Sequence, residues 1–186
     1  MRTFHRLALG SVIALIAACT TNHEPAVSAR TPEVPVGTIR EVMKGIVEGS
    51  SQALFDSVAI TSSAAGTIQK EPSTPEEWTA LEHQALQLAE APNLLKVPGR
   101  RVARSEEENT SAGPTELTPI QIQAKLAEYP ALFDKYADDL QKVAQEALGV
   151  VKGKNVQGLF DIGQKLDVAC ENCHLEFWYP AEKKPE

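Results

Sequence analysis

Apolar residues recur at three- and four-residue spacing through most of the chain from residue 38 onward, which is the period of helices that bury one face. Ile39, Met43, Ile46, Ala53 and Leu54 share one side of a helix expected over 39–58, with Gly45 and Gly49 nearby. Those glycines weaken a helix and fit two readings: close approach of a flat ring, or close helix–helix packing. Trp78, Leu81, Ala85, Leu88 and Leu95 give a second helix over 75–91, which Pro92 should end or kink. Ile122, Leu126 and Tyr129 begin a third, interrupted at Pro130 and resumed by Phe133, Tyr136, Leu140, Val143, Ala147 and Val150. Gly153 and Asn155 mark a turn. Leu159, Ile162, Leu166, Ala169 and Cys173 form the stripe of a fourth helix that stops before Pro180.

Three of these helices are announced by capping boxes, in which a Thr oxygen accepts an orphan N–H and a Glu or Gln three residues on reaches back to the cap. They are Thr38 with Glu41, Thr74 with Glu77 and Thr118 with Gln121; in the last two, Pro occupies the first helical position. Residues 97–117, rich in charge, Gly, Pro and Ser, read as a long loop. No stretch reads as a strand, so the fold expected is all-α with four helices.

The tail carries Cys170-Glu171-Asn172-Cys173-His174. Cys-x-x-Cys-His is the attachment signature of a c-type haem. Two thiols on one helix face can each add across a haem vinyl group, and His174 follows as the proximal iron ligand. Three other uses of a Cys pair are half a zinc site, a thioredoxin-like redox pair and a disulfide. Zinc usually takes four ligands and no second Cys pair exists; the redox pair needs a strand-then-helix context. The reading adopted is one covalently bound haem c held by Cys170, Cys173 and His174 on the core-facing stripe of the last helix.

At the other end, Arg2, His5 and Arg6 precede the apolar run Leu7–Ala18, broken only by Gly10 and Ser11. This reads as a signal peptide over 1–18, too short for a comfortable membrane span. Ile16-Ala17-Ala18-Cys19 resembles a bacterial lipobox, which implies a lipidated Cys19 as the mature N-terminus; ordinary cleavage nearby is the alternative. With Thr20 rather than Asp after Cys19, the resemblance tilts sorting toward the outer membrane. Residues 19–37, with Pro25, Pro32 and Pro35, read as a flexible tether, with His23 as a solvated member of it. The expected location is the periplasm, lipid-anchored, with one folded domain over 38–186.

The formal charge is −7, and removal of residues 1–18 with Arg2 and Arg6 takes it to −9. Nothing basic suggests nucleic acid. An acidic carrier would favour a redox partner with a positive patch, although many solvated surfaces are simply acidic; the partner itself is unknown.

A haem motif at the end of a four-helix chain, with the aromatic tail Phe177-Trp178, resembles the class II cytochromes c: the cytochrome c-prime family and its low-spin relatives. The resemblance covers residues 38–180. It implies an antiparallel up-down-up-down four-helix bundle, with homodimers through the first two helices possible. Where members carry a basic residue shortly after the motif, this chain has Leu175, Glu176, Phe177 and Trp178. In the family a first-helix residue covers the distal side of the haem. Met there makes a six-coordinate iron suited to electron transfer; an apolar residue leaves an open site for small gases. Met43 falls at that position, with core filler as its other reading. Arg40, one turn earlier, is a candidate for a haem propionate or a plain surface Arg; His83 lies off the core face of its helix; Trp78 and Trp178 read as core or haem-edge aromatics. The function expected is electron transfer through a His174/Met43-ligated haem, with binding of nitric oxide or carbon monoxide at a five-coordinate iron as the alternative. An enzyme is disfavoured, since the first helix offers Arg40 and Glu41 but no His as a distal acid–base pair.

Overall fold

The computed structural model describes residues 34–105 and 115–180. The signal segment 1–18, Cys19, most of the tether and His23 lie outside the described residues. The chain is mostly helical, with one small antiparallel hairpin.

The first helical stretch runs in three pieces: α1 (Ile39–Val42), a π-helical segment (Met43–Val47) and α2 (Glu48–Phe55). All three Thr capping boxes are formed. At the first, the Thr38 N–H donates to Glu41 at 2.9 Å and the Glu41 N–H to the Thr38 hydroxyl at 3.2 Å. In the π segment the N–H of Glu48 reaches the carbonyl of Met43, five residues back. That extra residue shifts the phase of the buried face. Val42, Val47, Ser50, Ser51 and Leu54 are buried, while Ile39, Met43 and Ile46 lie at its margin.

The stretch stops short of residue 58. There follow β1 (Ala59–Ser63) and β2 (Gly66–Lys70), paired with Ile60 opposite Gln69 and Thr61 opposite Ile68. The expectation of no strands is therefore wrong. Every residue of the ribbon is exposed, so no period-two burial pattern marks it. Its signals are β-branched residues and the turn at Ala64-Ala65-Gly66, where Gly66 has φ +125°.

Helix α3 (Pro75–Leu95) passes through Pro92 rather than ending at 91. Pro92 sits in the last turn, fully buried beside the buried Leu95, so packing there outweighs the missing N–H. Helices α4 (Pro119–Glu128) and α5 (Pro130–Lys152) are separated at Tyr129, whose φ/ψ of −124°/53° breaks the ladder ahead of Pro130. Tyr129 is exposed, not part of the buried stripe. Helix α6 (Val156–Phe177) starts from an Asn155 cap that accepts the Gly158 N–H at 3.0 Å.

Antiparallel order follows from cross-helix bonds. Lys96, capping the end of α3, and Glu82 of α3 meet Asp138 and Lys152 of α5, so the end of one lies by the start of the other. Ser50 of α2 reaches Gln84 and Gln87 of α3, while Gly37, ahead of α1, accepts from Arg100. The most extensive packing is between α3 and α5; α5 also packs on α6, and α2 on both α3 and α6. The α5 face centres on Ala137, Leu140, Ala144, Ala147 and Val151. Val143 and Val150, expected on it, are only half-buried. Small residues at this seam let two helices approach closely. Among the described residues no helix is long and apolar enough to cross a membrane.

Candidate functional site

One end of the helical body holds a half-open cavity of about 510 Å³, within the range of small-molecule and cofactor sites, ~300–1,000 Å³. Its walls come from distinct parts of the chain. Helix α6 contributes Cys170, Cys173, His174 and Phe177; the first stretch contributes Arg40, Met43 and Val47. Helix α5 adds Phe133, Tyr136 and Leu140, and α4 adds Ile122 and Leu126. The structure thus brings together Cys170, Cys173, His174 and Met43 around one apolar space, with Arg40 at its lining. Trp178 also lines it, whereas Trp78 belongs to the main core. His83 is exposed on α3 and apart from the cavity.

Position on α6 explains the grouping on that side. Residues 166, 169, 170, 173, 174 and 177 fall within one face at three- and four-residue steps, and Leu166, Ala169 and Phe177 are buried. On the other side, Met43 opens the π segment. Single-turn π insertions re-aim side chains within a helix and recur at functional sites. A Cβ on Gly45 or Gly49 would touch nothing within 4 Å, so neither glycine serves close helix–helix packing.

The electrostatics of the α6 wall are those of an apolar surface. Burial, with Asp167 and Glu171 adding, pushes the Cys170 thiol up to about 11. Burial, with Cys170 and Glu176 adding, pushes Cys173 up to about 12. Both cysteines are free of disulfide bonding and are held as neutral thiols. Burial lowers the His174 imidazole from its ordinary value, with Glu171 opposing. A neutral imidazole keeps a lone pair available for a metal. Among the described residues, no three His, Cys, Asp or Glu side chains converge as a metal-binding group.

Several wall residues were not legible as such. Val102 is buried in the segment read as a plain loop. Its N–H donates to the Gln123 side chain at 2.9 Å, and its carbonyl accepts the Arg40 N–H at 3.0 Å. The Arg101 carbonyl likewise accepts the Ile39 N–H at 2.9 Å. The strap thus satisfies two of the orphan donors of α1 and ties the start of that helix to α4. Val102, Ile122, Leu126 and Phe177 form a second apolar cluster beside the main core, with Cys173 and Trp178 packed against it. Phe177 meets Phe133 and Tyr136 edge-on at 5.7 and 6.2 Å. Lys125 pairs with Glu176 at 2.9 Å and lies 5.8 Å from the Phe177 ring centre. In sequence, the Ile122/Leu126 spacing and the Phe177-Trp178 tail signalled parts of this cluster, but spacing fixes a face and not what the face covers.

Comparison of the chain with known protein families, characterised proteins and solved structures finds no match.

Proposed function

We propose that this chain is an electron carrier with one covalently attached c-type haem. The observation that carries the reading is the convergence of Cys170, Cys173 and His174 with Met43 on a single apolar cavity of about 510 Å³. The residues fit the group. Two neutral thiols three residues apart offer the two thioether links. The imidazole, kept neutral by burial, offers the iron one lone pair, and the Met43 thioether from the first stretch offers the sixth ligand. Aliphatic and aromatic side chains make up most of the remaining wall, which suits a flat apolar macrocycle and limits water.

When bound, the haem supplies the one-electron couple. The chain's part is to anchor it through Cys170 and Cys173, to hold His174 and to place Met43. Thioether ligation stabilises the ferrous form and raises the potential. Arg40 at the lining is suited to a propionate. In this reading the first stretch, α3, α5 and α6 are the four members of an up-down-up-down bundle of the class II cytochrome c type, with α4 an added wall. Haem–iron electron transfer asks no acid–base chemistry of the protein, so the reading is of a carrier rather than an enzyme. Export by residues 1–18 and lipidation at Cys19 put the domain on the periplasmic side of a membrane, where such attachment takes place.

The test is the optical spectrum of protein made in a host that matures c-type haem. The expected oxidised spectrum has a far-red sulfur-to-iron band that Met43→Ala abolishes. A high-spin ferrous spectrum that responds readily to carbon monoxide in the unaltered protein would replace electron transfer with gas binding at an open site.

A further inference from the structure

Beyond the ligands themselves, the structure shows what flanks the ring of His174. Ligand imidazoles are usually oriented by a hydrogen bond from their second ring nitrogen. Here the flanking groups are aromatic. Trp178 meets the imidazole nearly perpendicular, at 88° and 5.1 Å between ring centres, and Tyr179 meets it at 60° and 5.9 Å.

These two rings are themselves seated. Helix α6 ends at Phe177, and the N–H groups of Trp178 and Tyr179 both donate to the carbonyl of His174, at 2.8 and 3.0 Å. This shared acceptor folds the chain back over the residue that carries the imidazole. The Trp178 carbonyl accepts the Leu117 N–H at 2.8 Å, which pins the turn to the segment ahead of α4. The Tyr179 hydroxyl donates to Glu171 at 2.7 Å, back across the helix end, and the Trp178 and Tyr179 rings lie 5.4 Å apart. Aromatic edges have a preferred geometry, so two mutually packed rings in edge contact with the imidazole restrict its rotation.

We propose that Trp178, seated by Tyr179 and its bond to Glu171, is a positioning residue that fixes the rotation of the His174 imidazole about its bond to the iron. This rests on the haem reading above. The rotation of an axial imidazole sets its overlap with the iron orbitals, so it is read in the g values of the ferric protein and in the reduction potential. Neither depends on turnover with a partner.

The experiment compares haem-loaded wild type, Trp178→Phe, Trp178→Ala and Tyr179→Phe by electron paramagnetic resonance and potentiometry. Trp178→Phe keeps an aromatic edge and should retain the wild-type g values. Trp178→Ala should shift and broaden them and move the potential. Tyr179→Phe, which keeps the ring and loses the Glu171 bond, should shift them in the same direction by less. Haem-loaded Trp178→Ala with wild-type g values and potential overturns the positioning role alone. If Trp178→Ala fails to fold, Tyr179→Phe decides, and wild-type values there overturn the role. Protein that matures without covalent haem overturns the haem reading and this one with it.

Discussion

Phe177 closes the α6 wall one turn beyond His174, and its truncation tests whether that wall is packed as described. The side chain is 4% exposed and sits between the edges of Phe133 and Tyr136. Truncating a buried Phe to Ala costs about 3–5 kcal/mol through lost transfer energy and the void left behind. The edge contacts are contained in that figure and are not added to it. A domain has only about 5–15 kcal/mol of total stability, and each kcal/mol moves the midpoint of a chain this size by roughly 2–4 °C. Phe177→Ala should therefore lower the melting temperature by about 6–20 °C, followed by circular dichroism. Phe177→Leu keeps most of the volume and loses the edge pairs, worth about 0.5–1.5 kcal/mol each, so it should fall between. Loss of less than about 1 kcal/mol in Phe177→Ala, read from a urea titration, would show that the second apolar cluster is not closed around this ring.

Four further outcomes follow from other parts of the same geometry. With folded pKa values near 11 and 12, the haem-free thiols stay protonated well above the ordinary thiol value of about 8.5. The folded state then holds protons that the unfolded state releases, so the stability of haem-free protein should fall as pH rises from about 8.5 toward 11–12; the Cys170→Ser/Cys173→Ser double variant should lack that slope, and a wild-type curve as flat as the variant's would refute the burial of the thiols. Alkylation at pH 8 should also run roughly a hundredfold slower in folded than in urea-unfolded haem-free chain, since only the thiolate reacts. Gly49→Ala points into open space on a helix and should stabilise by about 0.5–1 kcal/mol without altering the haem spectrum; a spectral change would mean the position faces the cavity after all. Gln123→Ala removes the acceptor of the Val102 N–H and should cost about 1–3 kcal/mol, with faster hydrogen exchange at Val102; unchanged exchange there would show that the strap is held by other contacts.

Much of the scaffold was legible because local chemistry announces it. Thr38, Thr74 and Thr118 each cap as their box pattern dictates, and Leu159, Ile162, Leu166 and Ala169 bury as their spacing predicts. Departures arise where tertiary packing or a single inserted residue decides. The five-residue step from Val42 to Val47 reflects the π segment, which no simple 3.6-residue period reproduces, and it moved the buried face onto Ser50 and Ser51. On α5, Ala137, Ala144 and Ala147 are buried with Leu140 and Val151, while Val143 and Val150 lie half-buried at the margin of that face. The hairpin escaped because Ile60 and Ile68 are 60% and 71% exposed and leave no buried side to alternate with. At the site, the Cys170–His174 spacing could be read directly, and Met43, singled out through the family resemblance, lines the same cavity. Val102 and the Trp178–Tyr179 turn could not, since each depends on long-range or end-of-helix bonds that spacing does not encode.

The most direct measurement is the mass of the purified, denatured chain after expression with c-type haem maturation. Haem attached at Cys170 and Cys173 predicts a mass greater by one haem that survives denaturation and is lost in the Cys170→Ser/Cys173→Ser variant. A chain with the mass of polypeptide and lipid alone, and with both thiols open to alkylation in urea, would contradict the account.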